Sequence, residues 1–230
     1  GALMPGFPVA AIVPPSTIPS PISASPTLFD LDHDGDLEIV MAVGTLWSGR
    51  HRGGIIVYEH TGAVRWARES YDKWSVWDNR DGADGLGEPV HGTPAIGDID
   101  GDGWEDIVWG GWDHRVWAVD RNGGLIAGFP FDNVDTIWSS PALYDVDNDG
   151  RLEIFMGADA TVGVTPCGGG RYWLLDWQSG SVVVLWTKCT GEAFKSSSAV
   201  GDIDGDGRME VIIGGGDNYR HPDGRRVWAW

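Results

Sequence analysis

Basic residues are scarce in this sequence. The 230 residues include 16 Lys and Arg against 34 Asp and Glu, a formal net charge of −18. A nucleic-acid surface needs a basic stripe, so that balance excludes nucleic acid as a partner. Long apolar runs are missing too. None approaches the roughly 18 residues of a membrane helix, so no membrane insertion is expected. Helix-favouring runs of Ala, Leu, Glu and Lys are rare, while 35 Gly and 13 Pro require many turns. There is no N-x-[ST] sequon, which excludes N-linked glycan. H-E-x-x-H, G-x-S-x-G and P-loop motifs are absent, and the His residues show no metal-ligand spacing. No catalytic residue is therefore named, and the chain reads as a non-enzyme. It opens at Gly1 without a signal-peptide pattern, which reads as a trimmed product or a segment of something longer.

What is abundant is apolar and aromatic. Hydrophobic residues make up 42%, too many for a disordered chain, and 14 residues are Trp. The length suits one all-β domain or two small domains.

An internal repeat organises the acidity. Four segments share one pattern: D-L-D-H-D-G-D-L-E from Asp30, D-I-D-G-D-G-W-E-D from Asp98, D-V-D-N-D-G-R-L-E from Asp145 and D-I-D-G-D-G-R-M-E from Asp202. Each has Asp at positions 1, 3 and 5, Gly at 6, and Asp or Glu at 9. Carboxylates on alternate residues of a tight loop converge on one point, and Gly at 6 permits the sharp turn. A hard cation such as Ca²⁺ takes six to eight oxygens at about 2.3–2.6 Å, and this loop supplies most of them. The expected side-chain ligands are Asp30, Asp32, Asp34 and Glu38; Asp98, Asp100, Asp102 and Asp106; Asp145, Asp147, Asp149 and Glu153; and Asp202, Asp204, Asp206 and Glu210. Position 7 contributes a backbone carbonyl, from Asp36, Trp104, Arg151 and Arg208. Up to four Ca²⁺ are expected. An EF-hand needs a bidentate Glu at position 12, but Met41, Trp109, Met156 and Ile213 stand there. The residues after position 9 are strand-like, so each loop joins two strands.

Short strands precede the loops, and hairpins with T-G, N-G-G and S-G turns follow, from Ile55, Arg115 and Arg171. The repeat is thus a four-stranded meander that must stack on its neighbours, radially as in a β-propeller. The blades cover about 25–70, 92–131, 139–189 and 197–230, with 10–24 as a Pro-rich connector. The last blade lacks its fourth strand. Met4–Val9 matches the fourth strand of blade two, Ile126–Phe131, and is expected to supply the missing one. Closure within the chain, insertion into a neighbouring copy, and a piece of a longer propeller all remain open.

The D-x-D-x-D-G-x-x-[DE] loop between two strands resembles the FG-GAP/VCBS repeats of integrin-α-like calcium propellers, over about Ser25 to Trp230. The hairpins also resemble those of quinoprotein-like propellers. The FG-GAP resemblance implies that the loop carboxylates bind Ca²⁺, and the family is usually seven-bladed where this chain shows four repeats.

Up-and-down strand order places the four acidic loops on one rim and the long variable loops on the other. Cys167 and Cys189 fall on the long-loop rim, where a disulfide would stabilise by roughly 3 kcal/mol and mark an extracellular or periplasmic compartment. Two buried free thiols are the alternative. Loop 71–91, with Trp74, Trp77, Asp78 and His91, is the candidate ligand site, since Trp beside polar groups is a common sugar platform. The expected function is a secreted, calcium-stabilised binding or adhesion module for carbohydrate or a cell surface. The alternatives are a subunit of an extracellular assembly or filament linked by its terminal strands, and a polysaccharide lyase or hydrolase.

Overall fold

The structure is a computed structural model, and it describes residues 1–45, 51–72, 85–133, 135–159, 170–216 and 226–230. Among the described residues every regular element is a β-strand, and no helix is long and apolar enough to cross a membrane. The strands form four antiparallel sheets in sequence order. Sheet 1 contains β1 (Thr27–Phe29), β2 (Glu38–Val43), β3 (Gly54–Tyr58) and β4 (Val64–Glu69). Sheet 2 contains β5 (Ala95–Gly97), β6 (Asp106–Gly110), β7 (Arg115–Val119) and β8 (Phe131–Asp132). Sheet 3 contains β9 (Ala142–Tyr144), β10 (Glu153–Gly157), β11 (Arg171–Gln178) and β12 (Ser181–Cys189). Sheet 4 contains β13 (Ala199–Gly201), β14 (Glu210–Gly214) and β15 (Val227–Ala229).

The middle strands are apolar at nearly every position because the sheets stack face to face. Every residue of β3, β6 and β10 is buried. Side chains alternate between the two faces of a strand, so one strand serves two interfaces. Ile107 and Trp109 pack with Val40, Ala42, Ile55 and Val57 of sheet 1. Their neighbour Val108 packs with Ile154, Met156, Trp173 and Leu175 of sheet 3. Phe155, Tyr172 and Leu174 then pack with Val211 and Ile213 of sheet 4. Trp109 and Trp117 are fully buried and stack at 5.6 Å with an interplanar angle of 3°. Such a pair adds about 0.5–1.5 kcal/mol beyond its burial. The first strands β1, β5, β9 and β13 lie side by side along one edge of the stack, as the inner strands of propeller blades do.

The β11–β12 turn is a two-residue loop with Ser179 (φ 49°) and Gly180 (φ 88°) both left-handed, the twist-matched hairpin geometry. In β4 the ladder pairs Tyr58 with Val64 and Val57 with Trp66, so Arg65 bulges out between them. The ladder of β12 does the same, pairing Leu175 with Val184 and Leu174 with Trp186 and skipping Leu185.

The expected completion of the last blade is not made. Sheet 4 has three strands among the described residues, and residues 4–9 form no strand. The N-terminal segment is held instead on sheet 1, where Ala11 and Val13 are buried against Val43, Ile56 and Tyr58. The connector 10–24 therefore does more than span a distance: part of it covers the outer face of the first sheet.

Candidate metal centres

Each acidic loop is built by its own carboxylates. The first Asp folds the turn by accepting backbone N–H groups. Asp30 takes those of Asp34 and Gly35, Asp98 those of Gly101 and Gly103, Asp145 those of Asp149 and Gly150, and Asp202 those of Gly205 and Gly207. The fifth residue accepts the N–H of the seventh in every copy: Asp34 from Asp36, Asp102 from Trp104, Asp149 from Arg151 and Asp206 from Arg208. The closing carboxylate reaches back to the N–H of the second residue, as Glu38 to Leu31, Asp106 to Ile99, Glu153 to Val146 and Glu210 to Ile203. Gly35, Gly103, Gly150 and Gly207 have φ of 97°, 86°, 92° and 87°. A Cβ on any of the four would meet nothing within 4 Å, so glycine is required there by backbone conformation alone.

The carboxylates converge as the spacing predicts, unequally. Asp145, Asp147, Asp149 and Glu153 bring ligand atoms within 4.8 Å of one another, as do Asp30, Asp32 and Glu38; Asp98, Asp100 and Asp106; and Asp202, Asp204 and Asp206. Asp34, Asp102 and Glu210 stand outside these groups. Of the position-7 side chains, that of Asp36 faces His60 at 3.4 Å, and that of Arg151 pairs with Asp149. Trp104 stacks on His33 at 4.8 Å, under the Arg121 guanidinium at 3.3 Å.

The closing carboxylates are buried in three loops: Glu38 and Asp106 at 1% exposure, Glu153 at 0%. Burial pushes Asp106 and Glu153 up to about 7 and raises Glu38 as well. Asp32 is lowered, chiefly by its hydrogen bond from Arg65. Two carboxylate oxygens in the clusters, Glu153 Oε1 and Asp32 Oδ1, are buried without a hydrogen-bond partner among the described residues. Buried, crowded, unpartnered carboxylate oxygens match a hard divalent cation in charge and donor type.

A further set of carboxylates emerges only from the strand pairing. The β2–β3 ladder pairs Ile39 with Tyr58; one residue further, Glu38 faces Glu59. In the same way Asp106 faces Asp120 beyond the Ile107–Val119 pair, and Glu153 faces Asp176 beyond the Ile154–Leu175 pair. Like charges directly opposite in a ladder are destabilising. Their threefold recurrence at the acidic loops gives each of these loops a further carboxylate. The sequence carries a signal for them: an acidic residue stands a few positions before the turn in each of the three hairpins.

The other end of the stack is aromatic. Trp74, Trp77 and Asp78 lie outside the described residues, whereas His91 is described. Each segment entering a first strand carries one residue at an equivalent position, and these touch in succession. Ser23 Oγ meets His91 Nδ1 at 2.8 Å, His91 stacks on Trp138 at 5.1 Å, and the Lys195 ammonium lies 5.1 Å from the Trp138 ring. Trp112 packs edge-on against Trp138 at 4.5 Å, and Asp159 accepts the Trp138 indole N–H at 3.0 Å. Burial lowers the His91 pKa. His91 Nε2 and Trp112 Nε1 are buried with no partner among the described residues. Cys189 is disulfide-bonded and exposed, and Cys167 lies outside the described residues.

With loops and strands placed, a sequence likeness runs from the second acidic loop through the third to β10. Residues 98–156 match the FG-GAP-like repeat family. The FG-GAP-like stretch thus spans two of the four acidic loops. No curated protein matches the chain by sequence. Among solved structures, a europium-containing methanol dehydrogenase aligns with 84% of the chain at TM-score 0.50 and 15% identity. The biofilm matrix protein Bap1 of V. cholerae aligns with 92% at TM-score 0.48 and 18% identity, and the C-terminal domain of Pseudomonas aeruginosa PilY1 with 84% at TM-score 0.40 and 12% identity. The chain spans 38%, 40% and 58% of Bap1, the dehydrogenase and the PilY1 domain. The likeness to the dehydrogenase is one of fold, stacked propeller-like sheets of antiparallel strands.

Proposed function

We propose that this chain is a calcium-stabilised, propeller-type binding or adhesion module that works outside the cell. Its ligand is a carbohydrate or cell-surface group received at the rim opposite the acidic loops. The observation that carries this reading is the unbroken row Ser23–His91–Trp138–Lys195, one residue from each of four sheet entries, with Trp112 and Asp159 beside it. Aromatic rings with polar groups beside them suit sugars. The disulfide at Cys189 and the excess of acid suit an oxidising, calcium-rich exterior. Calcium at the acidic loops would hold the rim in place without taking part in recognition. The role is non-catalytic.

The test is retention of the calcium-loaded chain on a glycan array, with wild type beside Trp138→Ala. Retention by wild type, lost in the variant at an unchanged fold, is expected. A blank array for wild type sinks the carbohydrate reading, and new ultraviolet absorbance from cut polysaccharide would replace binding with lyase action.

A second reading, self-association through residues 4–9, is favoured by two observations. Gly6 and Gly128 share a conformation, and β15 has a single ladder partner, β14, among the described residues. Strand donation to β15 of a second copy would give head-to-tail assembly. Sedimentation of a monomer at high concentration would exclude it.

A further inference from the structure

The bulge in β4 separates the first acidic loop from the third. Bulges re-aim side chains, and this one turns Arg65 toward the loop. Arg65 Nη1 lies 2.6 Å from Asp32 Oδ2, 3.7 Å from Glu59 Oε1 and 4.0 Å from Glu38 Oε2. The Arg65 side chain is only 16% exposed. One guanidinium thus touches the third-position Asp, the closing Glu and the carboxylate across the ladder. The bulge in β12 puts Leu185 in the equivalent place. The matching carboxylates there are Asp147, Glu153 and Asp176, and Glu153 Oε1 and Asp176 Oδ1 are buried without a partner among the described residues. In sheet 2 the Val119–Leu125 bridge is followed by Ile126, again uncharged, and no ion pair reaches Asp98, Asp100, Asp106 or Asp120 among the described residues. Arg151 pairs with Asp149 in loop 3, but that pair is about 30% exposed and leaves Glu153 and Asp176 untouched.

We infer that Arg65 is a built-in counter-ion, so the first loop holds divalent cations more weakly than the second and third and stays folded better without them. A fixed positive charge beside three candidate ligands opposes an incoming cation and relieves the same repulsion that the cation would relieve. The bulged residue sets this grading: Arg in sheet 1, Leu in sheet 3.

The inference rests on the loops holding divalent cations at all, and the experiment separates the two ideas. Calcium is titrated by calorimetry, and melting is followed with calcium and with chelator, for wild type, Arg65→Leu and Leu185→Arg. Arg65→Leu should tighten one site roughly tenfold and enlarge the melting gain from calcium. Leu185→Arg should weaken one site by a similar factor and shrink that gain. Folding of Arg65→Leu only in calcium supports the inference. If Arg65→Leu folds in neither condition, Leu185→Arg decides, and undiminished binding there overturns the inference. Calcium binding by wild type with both variants unmoved, or moved the same way, overturns the grading alone. Absence of calcium binding in wild type overturns the cation reading with it.

Discussion

Gly6 and Gly128 occupy equivalent places in two different sheet neighbourhoods. Their φ angles are 87° and 88°, and the next residue in each case, Phe7 or Phe129, donates its N–H to the carbonyl three back, of Met4 or Ile126, at 3.1 Å. Each presses on a hairpin turn, Gly6 on Thr61 of sheet 1 and Gly128 on Ser181 and Val182 of sheet 3. Residues 4–9 therefore stand beside sheet 1 as the end of sheet 2 stands beside sheet 3.

A Cβ at Gly6 would sit 1.8 Å from the Thr61 carbonyl oxygen. Gly6→Ala should detach residues 1–9 at a cost of about 1–3 kcal/mol, from the clash and the left-handed backbone together. Limited proteolysis should cut the variant near its N-terminus well before wild type. Equal cutting rates would mean that the packing on Thr61 holds nothing.

Removing divalent cations should lower the melting temperature, because ions that bind only the folded chain stabilise it. At calcium a hundredfold above the dissociation constant, each site contributes about 2.7 kcal/mol. Among closing carboxylates, Glu153→Gln should lose more of this gain than Glu210→Gln, since Glu153 is buried within a four-carboxylate group and Glu210 stands outside its trio. A calorimetric scan unchanged by chelator would contradict the assignment.

Asp113 should give the stability a pH dependence apart from the acidic loops. It is fully buried, accepts the Tyr71 N–H and the Trp117 indole N–H, and neighbours Arg115; burial raises its pKa to about 6. A carboxyl raised in the folded state contributes stability that is complete below its unfolded value near 3.8 and is lost as pH rises through about 6. The slope in that window is roughly 1.4 kcal/mol per pH unit at most. Asp113→Asn, compared with wild type by denaturant melts from pH 4 to 7 in excess calcium, should flatten the slope. Parallel curves would rule Asp113 out as its source.

Reduction should loosen the long-loop rim. Cys189 is disulfide-bonded and exposed, so thiol reagent should reach it, with a loss of about 2–4 kcal/mol in the melt. Cys189→Ser should show the same loss without reagent.

The acidic loops and the strands around them are legible in the sequence because each depends on local chemistry repeated four times. Carboxylate spacing fixes the loop, and the apolar run after Glu38, Asp106, Glu153 and Glu210 fixes the second strand. The row from Ser23 to Lys195 is not legible, because its members are far apart in sequence and meet only when the four sheet entries converge. His91 stands out there through Trp74 and Trp77 of its own loop. Arg65 is hidden for a different reason: a bulge depends on ladder register, and alternation alone assigns its side chain to the wrong side. The likeness of residues 4–9 to Ile126–Phe131 is real, but pairing with the last sheet does not follow from it, because Ala11 and Val13 anchor the segment elsewhere.

Burial on both faces of β6 and β10 has a consequence for how the chain finds its alignment. Where one face meets water, a slip of one residue exposes oil and is rejected at once. In these inner strands a slip would merely exchange one dry neighbour for another, so oiliness cannot tell right from wrong. The choice falls to the strand ends, where the closing Asp106 or Glu153 hooks the second amide of its own loop and counts the residues for the strand that follows.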